Sequence, residues 1–215
     1  MHSRTRASGH THPVLSIRDL SIEFPRRGDA LRVVDNVSIN VWPQEIVGVI
    51  GESGSGKTLS ALATLRLLPR GARVVSGSIE LNQVSLLDLT EAQMRTMRGD
   101  RIALIPQDAL QSLNPTLRVG RQVGEPLEIH KGISLAQALG PALKLLRSVH
   151  IPDPEARARQ YPHEFSGGMQ QRAMIAMGLA LDPDLLIADE PTTALDVTIQ
   201  AQVLKVLREI RDERK

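Results

Sequence analysis

The 215-residue chain carries 26 Lys and Arg against 24 Asp and Glu, a net charge of +2, and no cysteine. That balance gives no case for a nucleic-acid or membrane-surface protein, and the missing thiols exclude disulfide, thiolate-metal and iron–sulfur sites. No apolar run approaches the roughly 18 residues of a membrane span, and the length suits one domain, with or without an inserted lobe. The chain reads as soluble and cytoplasmic.

Residues 1–13 lack an apolar segment and read as a disordered tail whose histidines are solvated. Val14–Phe24 alternates well enough for a strand or two, Pro25–Asp29 is a turn, and Leu31–Trp42 returns as strand. Glu45-Ile-Val-Gly-Val-Ile50 is apolar and β-branched, the pattern of a buried strand. It leads into Gly51-Glu52-Ser53-Gly54-Ser55-Gly56-Lys57-Thr58, followed by apolar residues at helical spacing up to Leu68 and Pro69.

Strand, glycine-rich turn and helix together give this octapeptide its chemistry. Glycines 51, 54 and 56 let successive backbone N–H groups point inward at an anion, and the following helix adds the positive end of its dipole. Lys57 can reach β- and γ-phosphates, and the Thr58 hydroxyl can ligate Mg2+. The stretch implies a site for a nucleoside triphosphate.

Gly77–Leu81 gives another strand, so an antiparallel β-layer brackets the phosphate turn in sequence. Thr90 caps a helix running to Gly99, with Gln93 at the capping-box position. Arg101–Ile105 is a core strand closed by Pro106. From Gln107 to Leu181 the pattern is helical, with loops at Ser112–Pro115 and Ile151–Pro154, and reads as an inserted lobe. Asp184–Ala188 is a buried strand, and Val197–Arg211 an amphipathic helix with Val203, Leu207 and Ile210 on one side. Strands alternating with helices predict an α/β fold with a mainly parallel core.

Leu185-Leu-Ile-Ala-Asp189-Glu190 ends an apolar strand in two carboxylates. After a phosphate loop, the first can hold Mg2+ and the second can polarise an attacking water; alone, the pair fits a solvated loop equally well. Phe165-Ser166-Gly167-Gly168-Met169 opens a helix and is either an ordinary cap or a second anion-binding surface. Methionines 169, 174 and 177 read as packing residues, His163 as a loop or lobe-packing residue, and Arg118, Arg121 and Lys131 as a solvated face.

Taken together, residues 14–215 resemble the nucleotide-binding subunit of an ATP-binding cassette (ABC) transporter. Residues 51–58 match its Walker A motif, 185–190 its Walker B motif and Phe165–Met169 its signature. Gln107 matches its Q-loop, and Ala194-Leu195-Asp196 its D-loop. Gln107–Pro115 and Tyr161–Arg172 are similar to the dipeptide, oligopeptide and nickel importer branch.

The resemblance implies a P-loop NTPase, RecA-like core with an antiparallel β subdomain (14–106 and 182–215 together) and an inserted α-helical subdomain (107–181). It implies ATP and Mg2+ as cofactors. ATP is met by Phe24, stacked on adenine, and by Gly51, Glu52, Ser53, Gly54, Ser55, Gly56, Lys57, Thr58 and Leu59. Glu190, Lys57 and Gln107 form the catalytic set, and Thr58, Gln107 and Asp189 hold the metal. Ser166, Gly167, Gly168 and Met169 meet the ATP of a second, head-to-tail ATPase subunit, beside the D-loop Asp196. The implied partners are that subunit, two membrane permeases and, indirectly, a solute-binding protein, with no nucleic acid and a place on the cytoplasmic face of the membrane.

Met169 and Phe165 depart from the usual signature Gln and Leu. The family also expects a further core strand and a switch histidine after the D-loop helix, whereas histidines 2, 10, 12, 130, 150 and 163 all precede Asp196. The expectation is therefore a truncated cassette that binds ATP, hydrolyses it poorly and leaves a sheet edge exposed. The alternatives are an exporter ATPase, a soluble ABC ATPase acting on nucleic acid or ribosomes, and an inactive cassette. Against the soluble reading, the stretch from Lys57 to Ser166 has no cysteine and no heptads.

Overall fold

Strand β1 (Leu15–Pro25) is the centre of the first sheet, and its burial departs from simple alternation. Leu15, Ser16 and Ile17 are buried in succession, Arg18 and Asp19 are exposed, and Leu20, Ser21 and Ile22 are buried again. A bulge resets the phase: the pairing shifts register after Ile17 on one side and after Arg18 on the other, with Asp19 at φ 49°. Gly77 lies against it at φ 93°, where a Cβ would stand 2.5 Å from the Arg18 carbonyl oxygen. Only glycine fits that approach.

The computed structural model describes residues 11–26, 29–107, 112–192 and 196–213. The chain divides into two units, residues 1–88 and 89–215. In the first, β2 (Ala30–Val41) and β3 (Arg73–Leu81) flank β1 in antiparallel pairing, and β4 (Val84–Ser85) extends the edge. The sheet order is β2-β1-β3-β4. Helix α1 (Lys57–Thr64) buries Ser60, Ala63 and Thr64.

Two differences from expectation fall in this unit. Residues 45–50 form no strand, and Ile46, Val47, Val49 and Ile50 are 49, 37, 53 and 97 % exposed. β-branched composition alone does not hold a strand; its stability comes from ladder partners and packing, and no described strand pairs with this run. Helix α1 stops at Thr64, before Pro69, because Arg66 turns left-handed at φ 53°. Arg66 N–H then donates to the Ala63 carbonyl and Leu67 N–H to Leu62, closing the helix end.

The second unit opens with α2 (Glu91–Met97) under the expected capping box. Gln93 N–H donates to Thr90 Oγ1 over 3.3 Å, and Thr90 N–H to Gln93 Oε1 over 2.8 Å. Strand β5 (Ile102–Ile105) pairs in parallel with β6 (Leu185–Ala188), Ile102 opposite Leu185 and Ile105 opposite Ala188. Between them in sequence run α3 (Val119–Lys131), α4 (Leu135–Ser148), α5 (Pro154–Arg157), a 3-10 turn (Pro162–Glu164) and α6 (Gly167–Gly178). Helix α7 (Val197–Glu213) follows β6 and turns Val203, Val206 and Ile210 inward, with Val206 rather than Leu207 fully covered.

These helices share one core, in which Ile105, Leu146, Ile175 and Val203 are sealed from solvent. Burying each such side chain stabilises the unit by about 1.5–3 kcal/mol. Small residues set the closest approaches: a Cβ at Gly120 would lie 2.6 Å from Ala158 Cβ, and one at Gly124 3.1 Å from Ala138 Cβ. No helix among the described residues is long and apolar enough to cross a membrane. Residues 1–10 of the expected tail, 27–28 of the turn, 108–111 after Gln107, Ala194 and Leu195 of the expected D-loop, and 214–215 lie outside the described residues.

Candidate functional site

In the first unit the glycine-rich turn takes the shape its sequence requires. Gly54 and Gly56 are left-handed, at φ 81° and 90°, and nothing lies within 4 Å of where a Gly54 Cβ would stand. Gly56 caps α1 without a side chain and lies against β2, its missing Cβ 2.7 Å from Val34 Cγ2. The Lys57 ammonium folds back over the turn and donates to the Gly51 and Glu52 carbonyls, both at 2.8 Å. Ser55 N–H donates to the Glu52 carbonyl over 3.2 Å, and Ser60 Oγ to Gly56 over 3.0 Å. Glu52, Ser53 and Thr58 are exposed, Lys57 and Leu59 half-buried. Phe24 is half-buried in β1 opposite Leu31.

The second unit brings two sequence-predicted residues together. Gln107, just past β5, donates from Nε2 to Glu190 Oε2, just past β6, over 2.9 Å. Parallel pairing accounts for the meeting, since Asp189 N–H donates to the Ile105 carbonyl over 3.0 Å and continues the ladder. Glu190 is left-handed at φ 45°, a conformation that costs a non-glycine residue about 1–2 kcal/mol. Asp189 is half-buried and Glu190 exposed.

At the start of α6, Ser166 is the cap and its Oγ accepts from Met169 N–H over 3.4 Å. Buried Gln170 holds the approach to the turn, donating to the Pro162 and Phe165 carbonyls over 2.9 and 3.2 Å. Asp196 opens α7 in the same manner, Oδ1 accepting from Ile199 N–H over 2.9 Å. Arg172 donates to the Gly168 and His150 carbonyls, and burial pushes its guanidinium below the ordinary arginine value. His163 stacks on Tyr161, centroids 5.7 Å apart.

One residue sequence reasoning passed over is Gln122. Buried in α3, it accepts from Asn114 N–H and donates to the Asn114 and Leu117 carbonyls over 2.8–2.9 Å, holding the turn downstream of Gln107. A glutamine among the apolar positions of α3 was the available signal.

The ABC transporter family matches residues 34–193. The chain belongs to that family. A probable peptide ABC transporter ATP-binding protein of Sinorhizobium fredii is 52 % identical over 200 residues, covering 93 % of this chain and 60 % of its own length. A putative peptide import ATP-binding protein of Brucella abortus is 45 % identical over 203 residues, with 94 % and 61 % covered. A peptidoglycan transport ATP-binding protein of Agrobacterium fabrum is 48 % identical over 205 residues, with 95 % and 38 % covered. The chain thus spans about 60 % of the first two ABC relatives. The solved ATP-binding cassette MJ0796, a dimer in a post-hydrolysis state with ADP and Pi, superposes with a TM-score of 0.78 at 24 % identity. It covers 93 % of this chain and 83 % of its own, which shows the P-loop cassette fold.

Proposed function

We propose that this chain is the ATP-hydrolysing subunit of an ABC importer for peptide-like solutes. The observation that carries the reading is its likeness, along nearly its whole length, to one ABC relative named for peptide transport and another named for peptide import. None of the three relatives cited is named for nickel.

The residues fit the cofactors. Left-handed Gly54, with open space where a Cβ would be, lets a phosphate oxygen approach the backbone N–H groups of 51–59. The Lys57 ammonium exchanges its carbonyl contacts for phosphate, and Phe24 takes the adenine. Thr58 hydroxyl in the first unit, and Asp189 carboxylate and Gln107 amide oxygen in the second, are each hard donors of the kind Mg2+ takes, and the ion would neutralise charge developing on the phosphates. Glu190 takes a proton from the attacking water as that oxygen bonds to the γ-phosphorus and the bond to the β-phosphate oxygen breaks, releasing ADP and phosphate.

Ser166, Gly167, Gly168 and Met169, with Asp196 beside them, serve the ATP of a second ATPase subunit. Two membrane permeases and a solute-binding protein complete the importer, with this subunit at the cytoplasmic face. The division into core and β subdomain (14–106, 182–215) and helical subdomain (107–181) belongs to the same proposal.

Deleting the gene tests the reading. Uptake of labelled di- and oligopeptides should fall and return with the wild-type gene but not with Glu190→Gln. Unchanged peptide uptake in the deletion strain would overturn it.

A further inference from the structure

The first turns of α6 and α7 meet at one side chain. A Cβ on Gly168 would stand 2.6 Å from Ile199 Cγ2, with Ile199 Cδ1 at 3.6 Å and Cβ at 3.8 Å. Ile199 therefore fills the notch left by the missing side chain, and any larger residue at 168 displaces it. The same residue's backbone N–H is the donor that Asp196 Oδ1 accepts at 2.9 Å. Gly168 lies in the turn that Ser166 caps through Met169 N–H. One isoleucine thus touches the signature turn with its side chain and the Asp196 cap with its backbone.

The contact is continuous with the core of the unit. Ile199 packs on the core that holds Phe165, Ala173 and Val203, whereas Val197, two residues earlier, is 80 % exposed. Farther along, Arg172 of α6 donates to the His150 carbonyl over 2.7 Å, and His150 Nε2 meets Glu209 Oε2 of α7 at 2.6 Å. The two helices thus meet directly at Gly168 and Ile199 and are bridged again, farther along, through His150.

We infer that Ile199 is a positioning residue: seated on Gly168, it sets the signature turn Ser166–Met169 and the Asp196 cap in a fixed mutual register, so that both present to a second subunit's nucleotide as one piece. This rests on the reading of the signature given under the proposed function. Ile199 touches no nucleotide in that reading; it acts through Gly168 and Asp196.

The test is ATP turnover by the full-length subunit reconstituted with its permeases. Ile199→Ala should lower kcat about 10- to 100-fold and bring the Hill coefficient for ATP towards one, because misplacement of the order of 1 Å carries losses of that size. Its KM for ATP should stay within about twofold, since the nucleotide-holding turn at 51–59 is untouched. Gly168→Ala should lose more, and Gly168→Ala with Ile199→Ala should regain at least the turnover of Ile199→Ala alone, because the cleared notch accepts the new methyl. Wild-type kcat and cooperativity in Ile199→Ala, or a double variant no better than Gly168→Ala, would overturn the inference. Wild-type protein without ATP turnover would instead overturn the function reading, and this role with it. Thermal melting of each variant separates loss of fold from loss of register.

Discussion

The Gln107 side-chain amide donates to the Glu190 carboxylate across 2.9 Å, joining the ends of two neighbouring parallel strands. The contact uses the amide nitrogen and leaves the amide oxygen as the group suited to a metal ion. It aims a carboxylate whose own backbone is held left-handed, so the position depends on its neighbour.

Replacing Glu190 by Gln keeps shape and removes the base. ATP binding should persist while turnover falls about 10²- to 10⁴-fold, the range for loss of a positioned base. Gln107→Ala should cost less, about tenfold, because Glu190 remains but loses its orientation. Steady-state kinetics beside equilibrium nucleotide binding separates the two effects.

Gly120 tests the packing of the helical segment. Its backbone N–H donates to the Ala158 carbonyl at 2.9 Å, and a Cβ would lie 2.6 Å from Ala158 Cβ. Gly120→Ala should destabilise by about 1–3 kcal/mol despite alanine's higher helix propensity, because overpacking outweighs it. Urea denaturation should show a lower midpoint with an unchanged slope.

Glu209 supplies a pH test. Its carboxyl is held below the ordinary carboxylate value, first by the hydrogen bond with His150 and further by Lys205, 3.7 Å away. A lowered folded-state pKa contributes stability that is present above the unfolded-state value, about 4.3, and lost as pH falls through the folded value. The pair is exposed and its effect small. Glu209→Gln should therefore melt slightly below wild type at pH 7, and the gap should close by about pH 3.

Local chemistry was readable where it is self-contained. Thr90 with Gln93, Ser166 as a cap and the left-handed Gly54 and Gly56 need only their neighbours in sequence. The parallel strands at 102–105 and 185–188 were legible from apolar runs. Residues 45–50 carried a similar pattern without forming a strand, because a pattern states what a segment could bury and not whether a partner is present. Ser134 and Gln137 form a capping box that the spacing announced and the reading missed. Gln122 was within reach of a local reading, since its partners Asn114 and Leu117 are eight and five residues away. Ile199 against Gly168 and Glu190 beside Gln107 depend on segments distant in sequence, and no window around them carries that information.

Titration calorimetry of the chain with Mg-ATP tests whether residues 51–59 hold a nucleoside triphosphate. Binding should be saturable, competed by ADP and weakened about 10- to 100-fold by Lys57→Ala through loss of charge-assisted hydrogen bonds. Absence of binding, or binding that Lys57→Ala leaves unchanged, would contradict that role.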